Sequence, residues 1–568
     1  VGGAAAAAAT GLVAAAVGVR DALGFTLADL ADDAGAGGAS APAVAVPAWA
    51  SRHVRCYAAD LVGDGGCDVV TLWRGTAEVR RAGELAFASP DEWAVTDVWP
   101  VDVNGDGRPE LVFLAWRTGN YGSVRPFWED ASAADEEPTQ HVFVYAWSAA
   151  AAAFEPVWMS SRLGVEVAEA SFDADARLWL RATDGSWTGW SWKSWGFALV
   201  SEEAPQQATV ELLAVGDNIT YANTYRHAYD AATGTYDFAS IYDPVRDRLR
   251  AADLVAVVQE TPLVADGTPP SAYPLFATPQ AMGDALVEAG FSVVCAATNH
   301  VNDQGAAGLD ATLAFWADEH PDVALLGVHA EQARACEPEL RTVGGVDFAL
   351  FDLTYGLNGR SLGAGEEWRV DQTSDLEALA ARVGEAVAAG RFAVCFVHHG
   401  TEYDPVPPAE QRSVVERLVD AGAALVVCSH AHVVGPFGEL RTSAGATGTV
   451  FWGLGNFMAA QRQRATAVGA AARVLVQGAV QAGKSVQEDG PAQEGGPARV
   501  AAFELVPTVC HVDAGGTTAV YWLEDYTDEL AAAHWLSSAD DPLTVDALWR
   551  LFVEGAATAV GDGTGQPA

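Results

Sequence analysis

Lysine is nearly absent from this chain of 568 residues: only Lys193 and Lys484 carry an ammonium side chain, and arginine supplies the remaining cationic charge. With 32 basic against 75 acidic residues the formal net charge is −43. No Lys/Arg cluster interrupts that field, which repels phosphate backbones and anionic lipid surfaces and so argues against nucleic-acid binding. Cysteine is scarce too. Seven residues without a CxxC pair exclude a zinc ribbon and a dense disulfide scaffold. Cys295, Cys395 and Cys428 sit inside apolar runs and read as small core side chains, while Cys56 and Cys67 are the pair placed to bridge a hairpin in an oxidising compartment.

Half of the residues are apolar, which is enough for two or more domains with cores of their own. Residues 1–19 (VGGAAAAAATGLVAAAVGV) carry no charge and stop at Arg20. They resemble the apolar part of an export signal or an N-terminal anchor, which predicts an extracytoplasmic protein, secreted or held at the cell surface; a plain Ala/Gly leader is the alternative. A small-residue linker at 33–48 then separates this segment, 1–48, from a β-rich domain at 49–205. Twelve of the 19 tryptophans lie between Trp73 and Trp195, in runs such as WSWKSWGFALV that suit half-buried strands.

Within the β-rich region, VDVNGDGRPELVFLAW aligns Asp102, Asn104, Asp106 and Glu110 as alternating oxygen ligands, with Gly107 for the sharp turn. Hard cations such as Ca²⁺ require that arrangement; a plain Asn-Gly/Asp-Gly hairpin turn is the other reading. AADLVGDGGCDVVTLW echoes it with Asp60, Asp64, Gly65 and Asp68, although Val62 stands at a ligand position, and a third echo lies at Asp173 and Asp175. The pattern resembles the FG-GAP-like repeats of integrin-type β-propellers over about residues 50–200. That resemblance implies an all-β partial-propeller-like or sandwich domain with calcium loops.

From residue 206 onward the rhythm changes to apolar strand, polar loop and amphipathic helix, the mark of an α/β domain, 206–568. Helices are predicted at 239–252, 279–290, 306–319, 374–390, 407–422 and 541–557, and a Gly/Pro/Gln-rich surface excursion at 484–498. Six apolar runs end in residues of metal-ligand type: Asp217, Glu260, Asn299 with His300, His398 with His399, His430 with His432, and Asn456. The carboxyl ends of strands in an α/β sheet converge on one rim. Imidazoles with carboxylates suit Mn, Fe or Zn, and one or two such ions could make hydroxide available at neutral pH.

The ordered motifs GD, QE, TNHVNDQG, HHGTEY, SHAHV and LGNF resemble the CapA family of poly-γ-glutamate capsule proteins, in the calcineurin-like metallophosphatase superfamily. This resemblance spans about residues 210–460. It implies a four-layer αββα sandwich, with Asp217 and His432 on one metal, Asn299, His398 and His430 on a second, and Glu260 bridging. It further implies His300 as general acid or transition-state stabiliser, Asp303 as the carboxylate holding its other nitrogen, and Glu402, Tyr403 and Asn456 on the rim. The chain departs from the superfamily's Asp-x-His at Asp217, Asn218 and Ile219, so the first metal has one imidazole fewer.

The implied activity is metal-dependent hydrolysis in the synthesis, export or turnover of an anionic surface polymer, with capsule-assembly proteins as partners. Arg226, Arg248, Arg360 and Arg412 are candidates to neutralise such a polymer. A non-catalytic polymer-binding or adhesion protein is the competing reading, and the reduced first metal site is the feature that favours it.

Overall fold

The computed structural model describes residues 53–119, 137–173, 175–204, 209–478 and 497–560, together with 44, 46, 47, 49 and 50. The apolar leader at 1–19 and nearly all of the excursion at 484–498 lie outside the described residues.

The tryptophan-rich region forms three consecutive four-stranded antiparallel sheets, each with its strands in sequential order. They begin at Arg55–Ala59, Ala94–Val101 and Val167–Phe172. The strand Glu110–Thr118 shows why they pack in succession. Leu111, Phe113 and Ala115 belong to a core shared with Val70, Leu72 and Val79 of the first sheet. Val112 and Leu114, on the opposite face, pack with Leu178 and Leu180 of the third. A strand buried on both faces needs this uninterrupted apolar run, because successive side chains alternate between faces. All three acidic echoes occupy the loop between the first and second strand of their own sheet.

The α/β region holds two mixed sheets. One runs Ala324–Leu326, Val293–Cys295, Leu254–Gln259, Thr209–Asn218, Val468–Gln477, Arg499–Val512 and Thr518–Trp522, with Asn456–Met458 paired beside Thr209–Asn218. The other runs Glu339–Val343, Val346–Thr354, Phe392–His398, Leu425–Ser429, Thr447–Phe451 and Phe437–Arg441. Leu212, Ala214 and Val258 of the first sheet share a core with Phe348, Val394, Phe396 and Val427 of the second. On the reverse faces, Leu213, Val215 and Val257 pack with Met282 and Leu286 of the helix Ala281–Ala289. Phe351, Cys395 and Val426 likewise pack with Leu379 and Val383 of Leu376–Ala388 and with Val415 and Leu418 of Ala409–Asp420.

Two expectations are corrected. The helix predicted at 239–252 is broken into a 3₁₀ turn, Ala239–Tyr242, and a short helix, Arg246–Ala251. Pro244 lies between them and lacks the N–H that would continue the helical hydrogen bonding. Cys56 and Cys67 do not pair, and all seven cysteines are free thiols. Cys56 sits opposite Thr71 in the sheet and is fully buried, whereas the Cys67 thiol donates to the Phe437 carbonyl at 3.2 Å.

The β-rich and α/β regions meet over an apolar seam, since Cys56, Ala58 and Val69 belong to the core between the two mixed sheets. Trp73 stacks on Trp549 at 4.8 Å and donates to Asp546. Arg55 holds Asp97 through two hydrogen bonds of 3.0 and 2.9 Å and approaches Glu504 at 3.4 Å. Arg473 then links Glu504 to Glu211.

Candidate metal centre

Both sheets deliver their parallel strand ends to one rim. Asp217 closes Thr209–Asn218, Glu260 follows Leu254–Gln259, His398 closes Phe392–His398, and His430 and His432 follow Leu425–Ser429. The approach is tight: a Cβ on Gly216 would lie 1.9 Å from the Gly455 carbonyl oxygen, which accepts from the Asp217 N–H at 3.0 Å. After Ser429 the backbone turns through φ of 92° at His430 and 60° at His432. Side chains other than glycine adopt such backbone rarely, and it concentrates at functional sites. The Tyr403 N–H pins this turn by donating to the Ala431 carbonyl at 2.7 Å.

The structure gathers Asp217, Glu260, Asn299, His300, Asp303, His398, His430 and His432, all buried. Two ligand groups result, Asp217/Glu260/His432 and Glu260/His398/His430, each with its donor atoms within 4.8 Å of one another. Glu260 is common to both. His432 Nδ1 lies 3.0 Å from Asp217 Oδ2, and His398 Nε2 lies 2.9 Å from Asn299 Oδ1. The chemistry of the donor set fits a divalent cation. Asp217 Oδ1, both Glu260 oxygens and His430 Nδ1 are buried without a hydrogen-bond partner, and burying unpaired carboxylate oxygens is costly unless a cation meets them.

The electrostatics follow from burial and from these neighbours. Burial lifts the Glu260 carboxyl to about 7, with Asp217 adding to the rise and His432 opposing it. Burial pushes His430 down to about 3 and His398 well below the usual imidazole range, and neighbouring histidines add to both shifts. Burial also works against charge on His432, yet Glu260 and Asp217 outweigh it and raise that imidazole to about 9. His398 and His430 are therefore neutral donors, whereas a cation would replace a proton at His432.

His300 stands beside the two groups. Its Nδ1 is 2.7 Å from Asp303 Oδ2, and its Nε2 faces inward, 3.9 Å from Glu260 Oε1. Burial opposes protonation here too, but Asp303 and Glu260 raise the imidazole above its ordinary value. The Phe276 ring packs edge-on against it at 4.8 Å, and the Phe276 N–H donates to the same Asp303 oxygen at 2.8 Å.

On the rim, Glu402 and Tyr403 are exposed, whereas Asn456 is buried and pairs with Asp217 in the sheet. Gln461 joins these, accepting from Asn456 Nδ2 at 2.9 Å and lying 3.5 Å from the Tyr403 hydroxyl. His399 belongs to neither ligand group and packs near Tyr355. Of the candidate arginines, Arg248 pairs with Glu524 and packs on Trp522, Arg412 donates to the Pro407 carbonyl, and Arg226 is exposed on its helix. Only Arg360 is tied to the site's loops, donating to the Asn302 carbonyl at 2.8 Å.

Sequence reasoning missed Tyr355 and Asn358. The Tyr355 ring lies 4.7 Å from that of His430, and Asn358 Oδ1 accepts from the Asn299 amide at 3.4 Å. The Asn-Gly pair in YGLNGR is a tight-turn signal that could have drawn attention to Asn358.

The acidic loop at Asp102 lies apart from this centre, in the second four-stranded sheet. Asp102 accepts from the backbone N–H groups of Gly105, Asp106 and Gly107, while Glu110 accepts from Val103 N–H and from Asn104. Asp60 repeats this with Gly63, Asp64 and Gly65.

Residues 211–461, the segment that carries the whole centre, match the family described as Bacterial capsule synthesis protein PGA_cap. Among curated proteins, this segment is similar to the PGA biosynthesis protein CapA of Bacillus subtilis (strain 168), 29% identical over 173 residues, which is 30% of this chain and 44% of that one. The Capsule biosynthesis protein CapA of Bacillus anthracis is 28% identical over 178 residues, 31% of this chain and 41% of that one. The matched stretch thus spans less than half the length of either relative. A crystal structure assigned to a 5'-nucleotidase from Staphylococcus aureus, in complex with alpha-ketoglutarate, overlaps 53% of this chain and 54% of its own at 11% identity and a TM-score of 0.32. That overlap is too slight to carry an argument.

Proposed function

We propose that this chain is a CapA-like protein of cell-surface polymer metabolism that hydrolyses a linkage of an anionic capsule polymer such as poly-γ-glutamate at a divalent metal centre. The observation that carries the reading is the sharing of Glu260 between two ligand groups whose buried oxygens lack partners. Asp217 and His432 would hold one ion, Asn299, His398 and His430 the other, with Glu260 between them. The mixed nitrogen and oxygen set suits Mn, Fe or Zn. When bound, such ions lower the pKa of a water enough to supply a nucleophile near neutral pH.

The chain's own residues account for the rest of the chemistry. His300, whose imidazole Asp303 and Glu260 hold above its ordinary value against burial, would give a proton from Nε2 to the departing group while Nδ1–H stays on the carboxylate, so the imidazole keeps its orientation. Phe276 shields that pair from water. Tyr403, Gln461 and Glu402 line the side where substrate enters.

In the same reading, the two mixed sheets and their covering helices form a metallophosphatase-like four-layer sandwich, and the three smaller sheets a partial-propeller-like unit. The protein works outside the cytoplasm with capsule-assembly partners, which cell fractionation tests; among the described residues no helix is long and apolar enough to cross a membrane. Calcium at Asp102, Asn104, Asp106 and Glu110 rests on their oxygen pattern, and terbium luminescence with and without Asp102→Ala checks it.

The deciding experiment compares wild type with His300→Ala, both loaded with Mn²⁺, on poly-γ-glutamate and on a chromogenic phosphodiester. Turnover lower by roughly 10²–10⁴-fold with unchanged metal content is expected. A fully loaded wild type that cleaves neither class refutes hydrolysis.

A further inference from the structure

We propose that Asn358 is a positioning residue that decides which end of the Asn299 carboxamide faces the His398/His430 group, and thereby how tightly the second metal position is filled. The inference rests on the proposed reading of Asn299 as a ligand. The two ends of a carboxamide are nearly equal in size but opposite in chemistry: the oxygen can meet a cation, and the NH₂ cannot. Something must therefore hold the correct end inward.

Asn299 Oδ1 lies 2.9 Å from His398 Nε2, and its Nδ2 points the other way, 3.4 Å from Asn358 Oδ1. Reversing Asn299 would bring two carboxamide oxygens face to face. Asn358 is itself held against reversal. The Tyr355 hydroxyl donates to its Oδ1 at 3.1 Å, and its Nδ2 is left 3.5 Å from His300 Nε2. Donors thus meet the oxygen of Asn358 from two sides.

The backbone brings Asn358 into this position. Asn358 and Gly359 have φ of 50° and 72°, and the Arg360 N–H closes the turn on the Leu357 carbonyl at 2.8 Å. Asparagine followed by glycine is the pair that tolerates two successive left-handed residues. The turn is also tied to the loop bearing Asn299. Arg360 Nε donates to the Asn302 carbonyl at 2.8 Å, and Asn302 Nδ2 returns a bond to the Ser361 carbonyl at 3.2 Å. Neither contact uses the Asn358 side chain, so removing that side chain leaves the turn anchored.

The test is a double-mutant cycle on the full chain, with Mn²⁺ alone as the probe and binding followed by calorimetry. Asn358→Gly keeps the left-handed backbone and deletes the carboxamide. In the wild-type background it is expected to weaken the second Mn²⁺ position by about 10–100-fold, the usual cost of removing a group that orients a ligand. Asn299→Asp replaces the carboxamide by a carboxylate, which presents an oxygen whichever way it turns. In that background Asn358→Gly is expected to change binding by less than about threefold. Equal losses in both backgrounds would mean that the substitution merely loosens the turn, and would overturn the proposal. So would undiminished binding in Asn358→Gly. A wild type that takes up no second ion overturns both this inference and the binuclear reading, whereas unequal results among the variants of a doubly loaded protein bear on Asn358 alone.

Discussion

Replacing Glu260 by glutamine separates the cost of the centre from its use. Without a cation the carboxylate is buried beside Asp217 with neither oxygen partnered, and burial raises its pKa from 4.5 to about 7. A carboxyl whose pKa is higher in the folded chain keeps its proton where the unfolded chain has released it. Stability is therefore fully present below 4.5 and is lost as the pH rises through about 7. At about 1.4 kcal/mol per unit, the rise amounts to about 3 kcal/mol. His432, raised to about 9, adds its own loss above 6.5 in the metal-stripped protein, and because Glu260 is its foremost partner the substitution weakens that too. The expected outcome is that chelator-treated wild type loses resistance to urea between about pH 5 and about pH 8, while Glu260→Gln loses much less. At the alkaline end the variant is the more stable protein by about 3 kcal/mol, yet it binds Mn²⁺ more weakly. Parallel pH profiles for the two proteins, or a variant less stable than wild type at about pH 8, would refute the reasoning.

Arg55→Met removes the guanidinium from Asp97, whose side chain is 1% exposed, and leaves Glu504 to Arg473 alone; it is expected to cost ~3–5 kcal/mol in a denaturant titration. Gly216→Ala forces a methyl group onto the Gly455 carbonyl and is expected to reduce soluble folded protein and lower the melting temperature, with a cost above the ~1–3 kcal/mol of ordinary overpacking. Asp303→Asn removes the partner that raises His300, so activity that needs the protonated imidazole is lost at a lower pH than in wild type. A pH–rate profile of the loaded enzyme shows whether its alkaline limb moves.

Much of the centre was legible because a buried strand interior tolerates only apolar side chains, so Asp217, Glu260 and His398 stand out where such runs stop. The covering helices were legible for a related reason: Leu379 and Val383, or Val415 and Leu418, repeat at helical spacing. Three kinds of feature escaped. Asn358 acts through a turn 59 residues beyond Asn299, and no local pattern says which loop folds over which strand end. Gln461 and Tyr355 are ordinary residues made relevant by their neighbours alone. Cys56 and Cys67 do not pair because the hairpin register sets Thr71, not Cys67, opposite Cys56.

The apolar seam between the β-rich sheets and the larger domain bears on how the chain comes into being and is lost. Cys56, Ala58 and Val69 complete a core whose other members lie at Val210 and beyond, so during synthesis the first sheets wait with an incompletely covered face until Arg499–Val512 has been made. A chaperone has a surface to hold throughout that interval. Once the seam closes, the two regions should unfold in one cooperative step.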